Sequence, residues 1–307
     1  MEKRRTFLRE LKKDKILLLM ALPAVAVVFL ISYIPMSGII LAFKNYQYNL
    51  GIFKSPWDGL NNFRFFFLSG TGLLVTRNTI LYNLLNIFTS QGLAILIAVI
   101  FSEMTSKYFK KTSQTIIFLP YFISWIIVGA FVYNLFDYQK GGLNALLKFF
   151  GFHAVNLYQI PWAWVIIICL FNAWKWVGYN AVIYIAAIAG IDMECFEAAT
   201  LDGASVYQKI RYITLPGIMN TIVIILLLNI SRIMRGDFQM FYQIVGNNGQ
   251  LFNTTDVIDT FVFRSLINSG DIGMSAAAAF YQSFFCFVII IGVNALIKKW
   301  NRDYALF

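Results

Sequence analysis

Glu197-Ala198-Ala199-Thr200-Leu201-Asp202-Gly203-Ala204, running on to Ile213-Thr214-Leu215-Pro216, decides how this chain is read. The stretch is small, polar and turn-forming, and it lies between two long apolar runs, 161–189 and 217–234. Asp192 is placed to cap a helix, and Glu194 and Glu197 put negative charge in its first turns. That helix should end at Asp202, with Gly203 supplying a left-handed position just past it. Ser205 with Gln208 three residues on spells a capping box for a second short helix. The second helix is expected to stop before Pro216, which suits the first turn of the next apolar segment. Residues 191–216 therefore read as two short helices joined by a tight Gly203-Ala204 turn. Small side chains at Ala198, Ala199, Gly203 and Ala204 let another surface approach closely. A loop that only links two helices has no need of so defined a turn, so this one reads as a docking surface for a soluble partner.

Working outward, the chain of 307 residues is 59% hydrophobic and 13% charged, against about 25% charged in a soluble domain. The apolar residues fall in six blocks, about 16–43, 78–102, 114–136, 161–189, 217–234 and 274–297. Each is long enough to cross roughly 30 Å of hydrocarbon at about 1.5 Å per residue. Such segments must be helical, because only a helix satisfies its own backbone polar groups in lipid. Pro23 and Pro35 leave the end of the first block open, and no small-residue cleavage pattern follows, so it does not read as a removable signal.

Orientation follows from the basic residues. Lys3, Arg4, Arg5, Arg9, Lys12, Lys13 and Lys15 precede the first block, and Lys107, Lys110 and Lys111 follow the second. Lys209 and Arg211 follow the fourth, and Lys298, Lys299 and Arg302 follow the sixth. The positive-inside rule then places both termini and the 191–216 loop in the cytoplasm. The net charge of +10 is a topology signal and not a nucleic-acid footprint. The whole is expected to be one membrane domain, 1–307, with a basic tail at 1–15 and a core at about 74–297. The segment after the first block carries Tyr46, Tyr48, Phe53, Trp57, Phe63, Phe65, Phe66 and Phe67. It reads either as an interfacial apron or as a surface that receives an extracellular protein.

The loop resembles the EAA motif of binding-protein-dependent ABC importers, E-A-A-x-x-D-G-A, five variable residues, then F-x-x-I-x-L-P. The match covers Glu197, Ala198, Ala199, Asp202, Gly203, Ala204, Ile213, Leu215 and Pro216. The departure is Ile210, where the motif has Phe and the chain keeps a large apolar side chain. Thr254–Arg264, the turn Gly246-Asn247-Asn248-Gly249, the small run Ser275–Ala279 and the short Leu306-Phe307 end look like the LplB-like sugar and polysaccharide permeases of the MalF-like group. The resemblance covers essentially the whole chain, though the large extra outer domain of MalF is absent.

The resemblance implies an all-α integral membrane protein of six transmembrane helices with the type I importer (MetI-like) permease fold, in a bacterial cytoplasmic membrane. It implies that the two loop helices sit in a groove of an ATPase subunit and transmit its closure. It further implies a second homologous permease chain, two ATPase subunits that bind ATP and Mg, an extracellular solute-binding lipoprotein, and an oligosaccharide or polysaccharide fragment as cargo. An importer of a non-sugar solute, and a non-transporting sensor on the same fold, are the rival readings.

Bond-making chemistry is not expected in this chain. No Gly-x-x-x-x-Gly-Lys-Ser/Thr loop occurs, so no cofactor is expected here and ATP belongs to partner subunits. Cys169, Cys195, Cys286 and His153 form no metal-ligand spacing, and a single histidine supports no triad. The cargo route is sought among polar residues in the apolar blocks. Asn172, Trp176, Tyr179, Asn180 and Ile183 share one stripe of block four, with Lys175 beside it. Aromatic faces beside amides suit a sugar, whose C–H face packs on a ring while its hydroxyls hydrogen-bond. Lys175 reads either as a contact to a sugar hydroxyl or acidic sugar, or as a partner of a neighbouring helix. Asn83, Asn86 and Ser90 form a second polar set, which helix–helix hydrogen bonding explains equally well. Asn229 and Arg232 in block five, where Arg232 is also placed to snorkel, and Tyr281 and Gln282 in block six complete the candidates.

Overall fold

A computed structural model describes residues 14–68 and 70–300, and the regular structure among them is helical apart from one isolated antiparallel bridge, Lys44 to Trp57. Lys3, Arg4, Arg5, Arg9, Lys12, Lys13, Arg302 and the Leu306-Phe307 end lie outside the described residues. In chain order the main helices are α1 (Lys15–Phe43), α2 (Asn61–Leu68), α3 (Thr71–Ser102), α4 (Lys107–Phe122) and α5 (Trp125–Phe136). Then follow α6 (Gly142–Phe149), α7 (Pro161–Ala189), α8 (Met193–Leu201), α9 (Val206–Gly217) and α10 (Met219–Ile230). The chain closes with α11 (Phe238–Val245), α12 (Ile258–Ser269) and α13 (Ile272–Trp300). Among the described residues α1, α3, α7 and α13 are long and apolar enough to cross a membrane, and six spans result if each bent pair, α4/α5 and α9/α10, counts as one.

The bent pairs correct the sequence reading. Residues 114–136 look like one continuous span, but α4 and α5 meet at 92°. Pro120 closes α4 in a 3-10 turn, and Ser124 restarts the chain as the cap of α5, its hydroxyl accepting the Ile127 N–H. Such a break is tolerable at membrane depth only if other groups satisfy the freed backbone. Lys175 of α7 does this, donating to the carbonyls of Tyr121 and Ile123. The second correction concerns Pro216. The helix after Ser205 does not stop before it. A π turn over Ile210–Thr214 widens the helix ahead of the proline ring, the helix continues through Gly217, and the 56° bend falls at Ile218.

α7 is the central helix. Against it α3 packs through Ala94 and Ala98, both fully buried, and Ala181 answers from α7. Small residues let the two backbones close up, which is how helices associate in lipid. Gly178 serves the same end, since a Cβ there would collide with the Ile117 carbonyl of α4. At the far end from the 191–216 loop, Tyr82, Trp125, Trp164, Met240, Phe241 and Leu251 form a second packed cluster. A third joins Phe66, Val75, Met234, Ile258, Phe261 and Ala278. The aromatic segment after α1 therefore divides: Phe66 is core, while Tyr48, Phe53 and Trp57 stay exposed. From Lys15 to Tyr33 α1 buries nothing, and only its Pro35–Phe43 part packs on the body, with the Phe43 ring 5.5 Å from Phe280.

Candidate functional site

Two places carry the candidate residues. The first is the 191–216 loop. Asp192 caps α8, its carboxylate accepting the Glu194 N–H at 3.1 Å. The helix ends in a Schellman closure: Ala204 N–H donates to Ala199 O at 2.9 Å and Gly203 N–H to Thr200 O at 3.1 Å, with Gly203 at φ +75°. Ser205 then makes the expected capping box, accepting from Gln208 N–H at 3.3 Å while its own N–H donates to Gln208 Oε1 at 2.7 Å. Lys209 Nζ donates to Thr200 Oγ1 at 2.8 Å and ties the two short helices together. Below them Ile210, Leu215 and Ile218 pack with Tyr184 and Ile188. Glu197, Ala198, Asp202, Gly203 and Pro216 face outward, with Ala199 and Ala204 half-buried. Sequence reading missed the apolar part of this face. Leu201 is 89% exposed, and Met193, Val206 and Tyr207 are exposed beside it.

The second place is a cavity of about 700 Å³ among α3, α7, α10 and the segment after α10. Asn83, Asn86, Asn172, Trp176, Tyr179, Asn180 and Asn229 all line it, with Ser90, Ile183 and Arg232. A π turn at Ile87–Gln91 in α3 brings Ser90 and Gln91 inward on consecutive positions. Ser90 Oγ donates to Asn172 Oδ1 at 3.1 Å, and Tyr184 OH donates to Gln91 Oε1 at 2.9 Å. Tyr82 OH and Asn86 Oδ1 lie buried on this wall and make no hydrogen bond to another protein group among the described residues. One side is aromatic. Tyr179 stacks on Tyr121 with ring centroids 4.6 Å apart and planes 16° apart, and Trp176 meets Tyr121 edge-on at 5.5 Å.

Charge gathers at the end remote from the loop, where Arg232, Arg235 and Asp237 line the cavity. Asp237 is engaged: it accepts Trp125 Nε1–H at 2.9 Å and caps α11 through the Met240 N–H. Neither guanidinium has a hydrogen-bond or ion-pair partner among the described residues. Arg235, Asp237, Tyr82 and Gln91 were not found by sequence reading. Gln91 had a signal in its place beside Ser90, and Arg235 in its place one turn beyond Arg232.

Three candidates lie off the cavity. Lys175 is buried and clamps the α4/α5 break, with Nζ also 5.1 Å from the Trp125 ring. Tyr281 sits among Phe66, Phe67 and Phe285, its hydroxyl accepting from Thr76. Gln282 is buried and bonds the Met234 carbonyl and Asp259. The Thr254–Arg264 stretch straps across α3. Asp256 accepts from Thr260 and Arg264, Asn78 donates to the Asp256 carbonyl, and Ile258 N–H donates to Thr79 Oγ1.

Comparison with known proteins places the geometry. Residues 91–302 match the family model described as the binding-protein-dependent transport system inner membrane component. The chain is 33% identical over 303 residues to the polygalacturonan/rhamnogalacturonan transport system permease protein YteP of Bacillus subtilis (strain 168), covering 98% of this chain and 94% of that protein. It superposes with TM-score 0.87 and 28% identity on a chain of a bacterial ABC transporter involved in the import of the acidic polysaccharide alginate, covering 96% and 99% of the two chains. A structure of bacterial alginate ABC transporter in complex with alginate pentasaccharide-bound periplasmic protein superposes at TM-score 0.85, again at 28% identity, covering 95% and 96%.

Proposed function

Since the chain belongs to the binding-protein-dependent transport system inner membrane components and is the permease subunit of a sugar or polysaccharide ABC importer, we propose that its cavity is one wall of the cargo route and that the cargo is an acidic oligosaccharide. The observation that carries this reading is the convergence of amide and aromatic side chains on one cavity with two arginines whose guanidiniums make no hydrogen bond or ion pair among the described residues. Asn86 Oδ1 and the Asn180 amide offer partners for hydroxyls, while the amide N–H groups of Asn83, Asn172 and Asn229 donate to protein atoms, and Trp176 and Tyr179 offer ring faces for the C–H surface of a pyranose. Arg232 and Arg235 line this end of the cavity with the engaged Asp237, Asp259 at the turn interacts with Arg235, and a guanidinium matches a carboxylate in a two-pronged bond, so the two arginines together favour an anion here. One transporter to which the chain is similar imports the acidic polysaccharide alginate, and a relative is named for polygalacturonan/rhamnogalacturonan transport, which supports the same class.

In this reading the bent pairs are single spans, making six, and both termini and the 191–216 loop are cytoplasmic. The chain is one permease domain. The loop, with Glu197, Ala198, Ala199, Asp202, Gly203, Ala204, Ile210, Leu215 and Pro216, docks an ATPase subunit, and the exposed Leu201 face is the apolar part of that contact. ATP and Mg belong to two such subunits. A second homologous permease closes the open side of the cavity, and an extracellular solute-binding lipoprotein delivers cargo at the arginine end. Transport is then conformational coupling between two ligand-biased states.

The test is ATP-driven uptake by the reconstituted complex in proteoliposomes. A uronate oligosaccharide and its carboxyl-reduced neutral form would be supplied on the binding protein at saturation. The double variant Arg232→Gln/Arg235→Gln should lower acidic uptake about tenfold and leave neutral uptake near its starting rate. Equal uptake of both cargoes by the native complex, unchanged in the double variant, would overturn the acidic assignment.

A further inference from the structure

The chain between α10 and α11 is not helical, although it forms part of the cavity wall. The Ser231–Gly236 turn closes locally on α10 through the Ser231, Arg232 and Ile233 N–H groups, and within itself from Arg235 N–H to Arg232 O at 2.8 Å. The carbonyls of Ile233, Met234 and Arg235 and the N–H of Gly236 remain. Side chains from three separate helices take them. Asn83 of α3 donates to Ile233 O at 2.9 Å and to Arg235 O at 3.0 Å. Gln282 of α13 donates to Met234 O at 2.7 Å. Asp259 of α12 accepts the Gly236 N–H at 2.6 Å, and the same oxygen accepts from Gln282 at 2.9 Å. Gly236 makes this approach feasible, since an added Cβ would lie 2.9 Å from Val257 Cγ2 and 3.2 Å from Asp259 Oδ2.

This bracing has a directional result. Ile233 and Met234 are turned into the core, while Arg232 and Arg235 on either side of them are exposed and line the cavity. The place of both arginines on the cavity wall is therefore set by backbone bonds of the turn, Arg235 O to Asn83 and Arg235 N–H to Arg232 O among them, and not by bonds of their guanidiniums. A two-pronged bond to a carboxylate depends on the angle of the fork as well as its charge, and a misplacement of about 1 Å is costly at a binding or reacting centre. Asp259 is the joint of the brace, because its single oxygen receives both the turn and Gln282.

We propose that Asp259 and Gln282, together with Asn83, are positioning residues for cargo recognition: they hold the Ser231–Gly236 turn in the shape that presents Arg232 and Arg235 to the carboxylates of an acidic sugar. The proposal rests on the reading of the cavity as an acid-selective route. It assigns Gln282 a role at a distance from the cargo, acting through the turn.

The experiment is equilibrium binding of a uronate trisaccharide, and of its carboxyl-reduced neutral form, to the purified complex of this chain with its second permease and ATPases, without binding protein. Asp259→Ala should weaken acidic binding about tenfold and neutral binding less than about twofold. Asp259→Asn keeps a carbonyl oxygen in place and should restore most of the acidic affinity. Gln282→Leu keeps the test open if the alanine variant does not assemble, and should move the two ligands in the same unequal way. Equal weakening of both ligands, or unchanged acidic binding, would sink the proposal. Arg232→Gln/Arg235→Gln separates the layers. If it abolishes the acidic preference while Asp259→Ala and Gln282→Leu retain it, only the bracing idea fails. If it leaves the preference intact, the acid-selective reading itself fails and the bracing proposal falls with it.

Discussion

The 191–216 loop and the Ser231–Gly236 turn face the same problem and solve it differently. Each is a short piece of chain outside the long apolar helices, and each must satisfy backbone groups that no helix ladder takes. The loop closes its bonds with near neighbours. Ala204 reaches Ala199, Ser205 and Gln208 exchange bonds three residues apart, and Lys209 reaches Thr200. The turn closes its first N–H groups on α10 and Arg235 N–H on Arg232 O, but its later groups are met from afar, by Asn83 at 150 residues from Ile233, Gln282 at 48 from Met234 and Asp259 at 23 from Gly236. The consequence is functional as well as structural. A locally closed element can keep its shape while its outer surface meets a separate protein. An element braced by three other helices takes its shape from the bundle, and so is suited to report or follow what the bundle does.

Four further experiments bear on that contrast. The largest effect is expected for Gly203→Trp. A bulky side chain at a φ of +75° on the exposed face should leave membrane insertion intact and cut uptake and ATPase association by about 100-fold, an effect of ~2.7 kcal/mol. Normal uptake by this variant would remove the loop from the coupling route. Gly203→Ala separates strain from bulk, because nothing lies within 4 Å of its new Cβ and only the left-handed backbone, about 1 kcal/mol, opposes it.

Lys175→Met comes next. It leaves the Tyr121 and Ile123 carbonyls unpaired at the α4/α5 break, and about 1–3 kcal/mol of stability should go with them. A lowered thermal midpoint of the detergent-solubilised complex, with the acidic-to-neutral binding ratio unchanged, is the expected pattern. A changed ratio would return Lys175 to the list of cargo contacts. Ser205→Ala should cost about 1 kcal/mol through loss of the cap. Limited proteolysis should show faster cleavage near the start of α9, and cavity binding should stay as it was. If cargo affinity falls in this variant, the loop is less self-contained than its local bonds indicate.

The smallest effect is a pH dependence at the brace. Burial pushes the Asp259 carboxyl above the ordinary carboxylate value, against the Gly236 N–H, the Gln282 amide and Arg235, which pull it down. The folded state therefore holds that proton more tightly than the unfolded chain. The stability from this group is fully present below the unfolded value, about 3.9, and is lost as pH rises through the folded one. The thermal midpoint of the native complex relative to Asp259→Asn should decline over that rise. A difference that grows with pH would mean the carboxylate, and not the acid, is the form the brace prefers.

How much was legible depends on where each residue finds its partners. The helix end at Asp202, the left-handed Gly203 and the Ser205–Gln208 box were readable because their bonds span three to five positions. The stripe Asn172, Trp176, Tyr179, Asn180 was readable because helical periodicity alone sets it on one face, and Asn83 and Asn86 joined it across the cavity. Lys175 was ambiguous for a physical reason. A lysine in an apolar helix must meet something polar, yet only the break between α4 and α5 shows that it meets carbonyls. The break itself was hidden, because residues 114–136 remain apolar on both sides of it, and composition does not record the angle between two helices. Gln282 and Tyr281 share a helix with neighbouring polar and aromatic residues, and nothing in their spacing tells brace from cargo contact.

Hydropathy and local turn chemistry were thus enough to establish a helical membrane chain with a loop of two short capped helices between its fourth and fifth apolar blocks, since both follow from short-range bonding and from the thickness of a bilayer. Which faces meet, where a span bends, and which two arginines are turned toward a common cavity were decided only when the helices packed, because those depend on partners brought together from positions tens to hundreds of residues apart.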